Sequence, residues 1–147
     1  MQILILYFSK GGNTKKLAEA IAKGVEEVEG ATALTKTTSE VTKDDFLTSD
    51  GLIAGSPVYF GVMASELKKI FDDFVSVRKK MENKIGAAFS TSGDATGGKE
   101  TTIMSIIQAL LIYGMVIVGD PMSGCGHGIT KQKKTAKNLE KGWPNLP

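Results

Sequence analysis

The sequence contains little cysteine and little net charge. A single cysteine, Cys125, among 147 residues excludes an internal disulfide, so the chain does not need an oxidising compartment. The formal net charge of +2 is too small to indicate a nucleic-acid or membrane-surface partner. A metal site needs more ligands than Cys125 and the one histidine, His127. We therefore expect no metal, and no nucleic-acid or membrane partner.

Long hydrophobic runs are also scarce. The longest apolar stretch, residues 103–118, contains Ser105, Gln108 and Gly114 and is shorter than the ~20 residues that span a bilayer. The first apolar run lacks the basic segment that opens a signal peptide. These two features predict a cytoplasmic protein. A chain of 147 residues suffices for one domain with its own core, which we assign to residues 1–147.

Apolar runs and helical spacings alternate along the chain. Near-continuous apolar runs are typical of strands buried on both faces, whereas apolar residues at helical spacing predict amphipathic helices. This alternation predicts an α/β fold, a three-layer doubly wound parallel sheet of five strands with helices on both faces. The expected strands are residues 3–8, 31–38, 50–55, 85–89 and 115–118. The first expected helix runs from Asn13 to Gly30, a short helical turn follows at 43–47, and a basic helix lies at about 130–139. Two further helices are expected from their apolar faces: Leu67, Ile70, Phe71, Phe74 and Val75 for one, and Ile103, Ile106, Ile107 and Leu110 for the other.

Three loops that follow predicted strands are rich in serine, threonine and glycine. They are residues 9–14, 56–61 and 90–98. In doubly wound sheets, ligands bind outside the carboxyl ends of the strands, where the strand order reverses. The sequence therefore predicts a ligand site on one edge of the sheet.

The first of these loops suits a phosphate group. Gly11 and Gly12 have no Cβ atom to keep an anion away from the backbone N–H groups that open the next helix. Side chains of Ser9, Asn13 and Thr14 add hydrogen-bond donors, while Lys10 is expected to point to solvent. The alternative is structural: a serine or asparagine caps the helix and the glycines only make a turn.

The third of these loops, residues 90–98, has an alternative interpretation as the phosphate-binding motif of nucleoside-triphosphate-binding proteins. Residues 93–99 match the pattern G-x-x-x-x-G-K. Glu100 follows, where that motif needs a serine or threonine hydroxyl to hold Mg²⁺. A carboxylate at that position would also repel a triphosphate, so we reject this interpretation.

Four segments together resemble a known family. SKGGNT, SPVYFG, STSGDATGGKET and LLIYGMVIVG are similar to segments of flavodoxin-like FMN-binding proteins, and the last three lie closest to the WrbA-like NAD(P)H:quinone oxidoreductases. The resemblance covers about residues 1–120. It implies the strand order 2-1-3-4-5 known for flavodoxin, with FMN at the switch between strands one and three.

The resemblance also implies roles for individual residues. Tyr59 or Phe60 is expected to stack on the flavin ring, the alternative for either side chain being ordinary core packing. Since FMN carries the chemistry, no catalytic side chain is expected. The implied FMN contacts are Ser9, Gly11, Gly12, Asn13 and Thr14 for the phosphate, Pro57, Val58, Tyr59, Phe60 and Gly61 for one side of the ring, and Thr91, Ser92, Gly93 and Asp94 for its other side.

Two functions follow from the resemblance. The first is an electron carrier between redox partner proteins, as a monomer or a homodimer. The alternative is a WrbA-like enzyme that takes hydride from NAD(P)H and reduces a quinone or free flavin. Tyr113 stands where WrbA-like enzymes tend to have a histidine that reaches the flavin pocket of a neighbouring subunit. A scaffold with this fold and no cofactor is the third interpretation.

Two features near the carboxyl terminus are not explained by this scheme. Cys125 and His127 lie in a glycine-rich stretch that reads as a plain loop, with a role near the flavin as the alternative. The lysines of the last expected helix suit a solvated face, or an acidic redox partner. These lysines are Lys131, Lys133, Lys134, Lys137 and Lys141.

Overall fold

A computed structural model describes residues 1–94 and 97–119. The expected helix at 130–139 and the Cys125–His127 pair lie outside these residues. No helix in the described ranges is long and apolar enough to cross a membrane. In chain order the elements are β1 (Gln2–Tyr7), α1 (Asn13–Glu26), β2 (Thr32–Thr37), α2 (Lys43–Thr48), β3 (Gly51–Tyr59), β4 (Val62–Met63), α3 (Ser65–Asp73), a 3₁₀ helix (Val75–Met81), β5 (Ile85–Thr91), α4 (Lys99–Ile112) and β6 (Val116–Ile117).

Five of the strands form a parallel sheet in the order β2-β1-β3-β5-β6. This is the predicted order 2-1-3-4-5, because β4 is a two-residue strand that pairs antiparallel with β3 and takes no place in the parallel series. The predicted α/β fold is confirmed. β1 lies between β2 and β3, where the strand order reverses. It is buried from Ile3 to Tyr7, as its near-continuous apolar run indicated.

Alternate residues of each inner strand serve two separate cores. Leu4 and Leu6 of β1 pack in the layer that contains α2, α3 and α4, together with the fully buried Phe46. Ile3 and Ile5 pack on the other side, beneath α1. A strand covered on both faces has apolar side chains at every position, which explains the lack of alternation in the sequence.

Two predicted helix boundaries were wrong. α1 ends at Glu26, and the chain from there to Gly30 forms turns rather than helix. α3 ends at Asp73, and the following 3₁₀ helix buries Val77 while Val75 stays 59% exposed. The tighter turn of a 3₁₀ helix rotates each later side chain away from the position that a 3.6-residue period assigns to it, so Val75 does not belong to the apolar face.

Contacts with neighbouring segments satisfy both ends of the short helix α2. Thr42 and Asp45 form the capping box of its first turn: the Thr42 hydroxyl accepts from the Asp45 N–H (3.3 Å) and the Asp45 carboxylate accepts from the Thr42 N–H (2.7 Å). At its carboxyl end, the ammonium of Lys84 donates to the carbonyls of Phe46, Leu47 and Ser49 at 3.0, 2.8 and 2.6 Å. Lys84 directly precedes β5, so this cation fixes α2 to the sheet.

Candidate functional site

The three predicted loops meet at one edge of the sheet. They lie at the carboxyl ends of β1, β3 and β5, which are neighbours, and β3 pairs with β5 up to Pro57 opposite Thr91. The hydroxyls of Thr14 and Thr91 lie 2.8 Å apart and join the first loop to the third. The rings of Phe8, just ahead of the first loop, and Tyr59, in the second, meet edge-on with centroids 6.2 Å apart. The tertiary structure therefore brings the predicted site residues together.

The loop between β1 and α1 presents its backbone to open space. A Cβ atom built on Gly11 or Gly12 would have no atom within 4 Å. Gly12 adopts a left-handed conformation (φ 85°) that other residues rarely take, whereas Gly11 does not. The turn thus requires glycine at Gly12, and Gly11 keeps the space above the loop clear.

Several N–H groups at the start of α1 are available to a ligand. The Ser9 hydroxyl accepts from the N–H of Gly12 (3.1 Å) and of Lys15 (3.3 Å), so Ser9 provides the side-chain cap. The N–H groups of Gly11, Asn13 and Thr14 have no hydrogen-bond partner among the described residues. The first turn of α1 contains no acidic residue. These donors, at the positive end of the helix dipole, are of the kind that suits an oxyanion, and we call the three N–H groups the cradle.

The side chain of Thr14 takes a different place from the rest of the loop. It is 2% exposed, and its hydroxyl is engaged with Thr91. The backbone N–H of Thr14 lies in the cradle, while its side chain ties the cradle to β5. Sequence reasoning did not find this link, because the two threonines are 77 residues apart.

The second loop is a tight hairpin rather than an irregular segment. β3 was expected to end at Gly55, but antiparallel pairing with β4 extends it to Tyr59. Phe60 and Gly61 form the turn with φ of 51° and 81°, the positive pair typical of a type I′ hairpin. The usual Asn-Gly or Asp-Gly signal of such a turn is missing here, which is why the sequence did not indicate it.

The two aromatic rings of this hairpin differ in their surroundings. Phe60 is fully exposed at the tip, so core packing is excluded for it. Tyr59 is half-buried and packs on Phe8. Pro57 and Val58 are also half-buried and line the base of the hairpin.

The third loop leads into a second helix start. Thr91 and Ser92 are half-buried, and Gly93 and Asp94 are exposed. The Ser92 hydroxyl and the Gly97 N–H both donate to the Asp94 carbonyl. Gly98, the amino-terminal cap of α4, has a left-handed φ of 76°, and a Cβ atom there would lie 3.5 Å from the Gly61 Cα. This helix start therefore lies against the hairpin.

Tyr113 lies at the opposite edge of the sheet from these loops. It follows α4, and the next residue accepts a hydrogen bond from Asn83, just ahead of β5. Its side chain is 3% exposed and donates to the Phe71 carbonyl at 2.6 Å. Burial raises the pKa of Tyr113 to about 12. It is a core residue and does not face the cradle of its own chain.

Tyr113 should make the protein less stable in alkaline solution. Its folded pKa of about 12 exceeds the ordinary value of 10.0, so the unfolded chain loses the proton first and stability falls as pH rises between these values. Tyr113→Phe should remove this part of the pH dependence, while lowering the free energy of unfolding at neutral pH by about 1 kcal/mol through the lost hydrogen bond. Urea unfolding of the wild type and of Tyr113→Phe at several pH values measures this pH dependence. Equal alkaline losses in the two proteins would contradict the assignment.

The fold and this edge define a doubly wound α/β protein with the cradle of free N–H groups, among the described residues, at the switch point of its sheet. A family model described as NADPH-dependent FMN reductase matches residues 1–129. The chain belongs to the NADPH-dependent FMN reductase family. The predicted kinship with flavodoxin-like FMN-binding proteins is thereby confirmed.

Known relatives carry two kinds of name. A flavodoxin of Aquifex aeolicus is 39% identical, over 80% of this chain and 64% of its own length. An NAD(P)H dehydrogenase (quinone) of Archaeoglobus fulgidus is 33% identical, over 82% of this chain and 76% of its own. The structure of flavodoxin 2 from Bacillus cereus has a TM-score of 0.78 at 19% identity, with 97% of this chain and 100% of that one covered, which shows a shared fold.

Proposed function

We propose that the chain binds FMN and carries electrons between redox partner proteins. The observation that carries this proposal is the open cradle at Gly11, Asn13 and Thr14, whose N–H groups have no partner in residues 1–94 and 97–119, beside the hairpin and the β5 loop. A phosphate monoester suits such a cradle, because it offers several negative oxygen acceptors to neighbouring N–H donors. When bound, FMN would supply the electron-accepting and electron-donating chemistry.

The residues of the cradle would bind the phosphate of FMN and orient the cofactor. The Ser9 hydroxyl accepts two N–H bonds and keeps its own proton to donate to a phosphate oxygen. Thr14 and Thr91 hold the first and third loops at a fixed separation through their hydroxyls. The cost of ordering the site on binding is thereby reduced.

The second and third loops would enclose the flavin ring. Residues 57–61 supply an apolar and aromatic side, and residues 91–94 a polar one, which matches a flat ring with one polar edge. Phe60 is our choice for stacking, because its ring has no packing partner among the described residues, whereas Tyr59 packs on Phe8. Within these loops Asp94 is the one acidic side chain, with Glu100 just behind.

The alternative is an enzyme that oxidises NAD(P)H and reduces a quinone or free flavin at the same FMN. The family description and the quinone-dehydrogenase relatives favour it. The buried position of Tyr113 favours the carrier, because this side chain is not available to a neighbouring subunit's site. A cytoplasmic location and a single domain over residues 1–147 stay predictions.

Two measurements test this function. Purified protein should absorb at about 450 nm and release FMN on denaturation, as flavoproteins do. A colourless protein that takes up no added FMN would refute the cofactor. Steady-state oxidation of NADPH or NADH with a quinone should be absent, while a flavoprotein reductase or ferredoxin should reduce the bound flavin. Rapid nicotinamide turnover would instead establish the enzyme.

A further inference from the structure

Helix α4 supports the hairpin of β3 and β4 through the hydroxyl of Ser105. This hydroxyl accepts a hydrogen bond from the backbone N–H of Met63 at 3.0 Å and donates one to the Thr102 carbonyl at 2.7 Å. Met63 belongs to β4, the returning strand of the hairpin, and lies 42 residues from Ser105 in the sequence. A side chain of the helix is thus bonded directly to the backbone of the hairpin.

The hairpin needs such support because its own pairing is short. β4 has two residues, and two residue pairs join it to β3, Val58 with Met63 and Tyr59 with Val62. A two-stranded hairpin by itself is marginally stable in water. The fully exposed Phe60 at its tip adds no packing against the described part of the chain. Contacts from outside the two strands therefore decide how firmly the hairpin is held.

The same side of α4 also meets the hairpin at its tip. Gly98, Thr101 and Ser105 stand at i, i+3 and i+7, which places them along one side of the helix. A Cβ atom built on Gly61 would lie 3.5 Å from the Thr101 Oγ1 atom, and one built on Gly98 would lie 3.5 Å from the Gly61 Cα atom. This side of α4 therefore follows the hairpin from its tip to Met63.

α4 is itself fixed to the strand that leads into the third loop. The Ser90 hydroxyl of β5 donates to the Lys99 carbonyl, in the first turn of α4, at 3.2 Å. The next residue of β5, Thr91, is bonded to the Thr14 side chain, whose backbone N–H lies in the cradle. Hydroxyl bonds therefore join the first loop to β5, β5 to α4, and α4 to the hairpin. Ser105 is the member of this series that bonds to β4.

We propose that Ser105 is a positioning residue for the flavin: its hydroxyl holds the hairpin beside the third loop, in the position that receives the flavin ring. The inference rests on the proposed FMN site and gives Ser105 no contact with the cofactor. Ser105→Ala removes the acceptor of the Met63 N–H and leaves this donor of a buried residue without its partner. The hairpin then occupies its binding position less often, and the apparent affinity for the ring falls in proportion.

Fluorescence titration of the full-length apoprotein with FMN and with riboflavin, which lacks the phosphate, tests this role. Ser105→Ala should weaken the binding of both flavins by the same factor, about three- to tenfold, the effect of one hydrogen bond. The ratio of the two affinities, which reports the phosphate contribution, should keep its wild-type value. Gly11→Asp should change that ratio, because its charge acts on the phosphate alone.

Two further variants separate the hydrogen bond from the packing of α4. Ser105→Thr keeps a hydroxyl that can bond to both the Met63 N–H and the Thr102 carbonyl, and it should restore wild-type affinity. Thr102→Val is the matched control. It removes a buried hydroxyl from the same helix, one that has no hydrogen-bond partner among the described residues, and it should bind both flavins like the wild type.

Amide hydrogen exchange of the apoprotein tests the support of the hairpin without a cofactor. The Met63 N–H should exchange about three to ten times faster in Ser105→Ala than in the wild type, and at the wild-type rate in Thr102→Val. Unchanged exchange, unchanged flavin affinity in Ser105→Ala, or a loss as large in Ser105→Thr or Thr102→Val would overturn the positioning role. A changed affinity ratio in Ser105→Ala would also overturn it, since the effect would then lie at the phosphate. A wild type that binds neither flavin would overturn the proposed function, and the role of Ser105 with it.

Discussion

Gly11→Asp is expected to lower the affinity for FMN at least about 100-fold relative to Gly11→Asn. Unit charges about 5 Å apart repel by about 3 kcal/mol at an effective dielectric constant near 20, and a phosphate carries more than one charge. The structure allows this substitution, because a Cβ atom at Gly11 meets nothing within 4 Å and no left-handed φ is needed there. FMN titration followed by flavin fluorescence measures both variants.

The two variants of Gly11 separate charge from shape. Asparagine and aspartate are nearly isosteric, so steric interference with the cofactor should be the same in both. Without FMN, the aspartate should leave the fold intact and add about 0.3–1 kcal/mol of stability beside the amino end of α1. Affinity and apo stability should therefore change in opposite directions. Equal FMN affinities would show that the phosphate does not bind in this loop.

Thr14 is a poorer position than Gly11 for that test. A carboxylate placed there would be buried beside Thr91, since Thr14 is 2% exposed. An unpaired buried charge destabilises the folded state, so loss of FMN from Thr14→Glu would not distinguish a lost cradle from a damaged fold. Gly11 avoids this ambiguity.

Gly55→Ala is expected to destabilise the protein by about 3 kcal/mol or more, at the upper end of overpacking effects. Gly55 pairs with Phe89 across β3 and β5, and the Phe89 ring, 1% exposed, lies directly over it. An added Cβ atom would overlap the Cζ, Cε1 and Cε2 atoms of that ring. Both residues lie in the centre of the sheet, so relief requires moving a buried ring or a strand. Urea denaturation measures the loss.

A second substitution distinguishes this steric cause from a general weakness of the strand. Phe89→Leu removes the ring atoms that the new methyl group would overlap, at a cost of its own. The double variant should lose less unfolding free energy than the two single variants lose together, with a coupling of about 1 kcal/mol or more. Gly93→Ala, where a Cβ atom meets nothing within 4 Å, is the control and should change stability by less than about 0.5 kcal/mol. Additive costs at Gly55 and Phe89 would contradict the ring contact.

The sequence by itself determined the fold class and the edge that bears the site. Continuous apolar runs separated by helical spacings allow one arrangement, a parallel sheet covered on both faces. Since carboxyl ends of parallel strands share an edge, the loops at 9–14, 56–61 and 90–98 had to meet. Their composition is a local property, so a phosphate site at Gly11 and Gly12 could be proposed without coordinates, and it stays a prediction.

Only the tertiary structure decided what each side chain contacts. The Thr14–Thr91 bond, the Lys84 contacts with α2 and the Phe89 ring over Gly55 join residues far apart in sequence, and no periodicity encodes such pairs. The Phe60–Gly61 turn was missed because its signal lies in backbone conformation rather than in composition. A hydrophobic period marks which residues can be buried, and the packing of the other elements decides which are. Met104 and Leu111 of α4 are a clear case, since both belong to the longest apolar stretch of the sequence and both are more than half exposed.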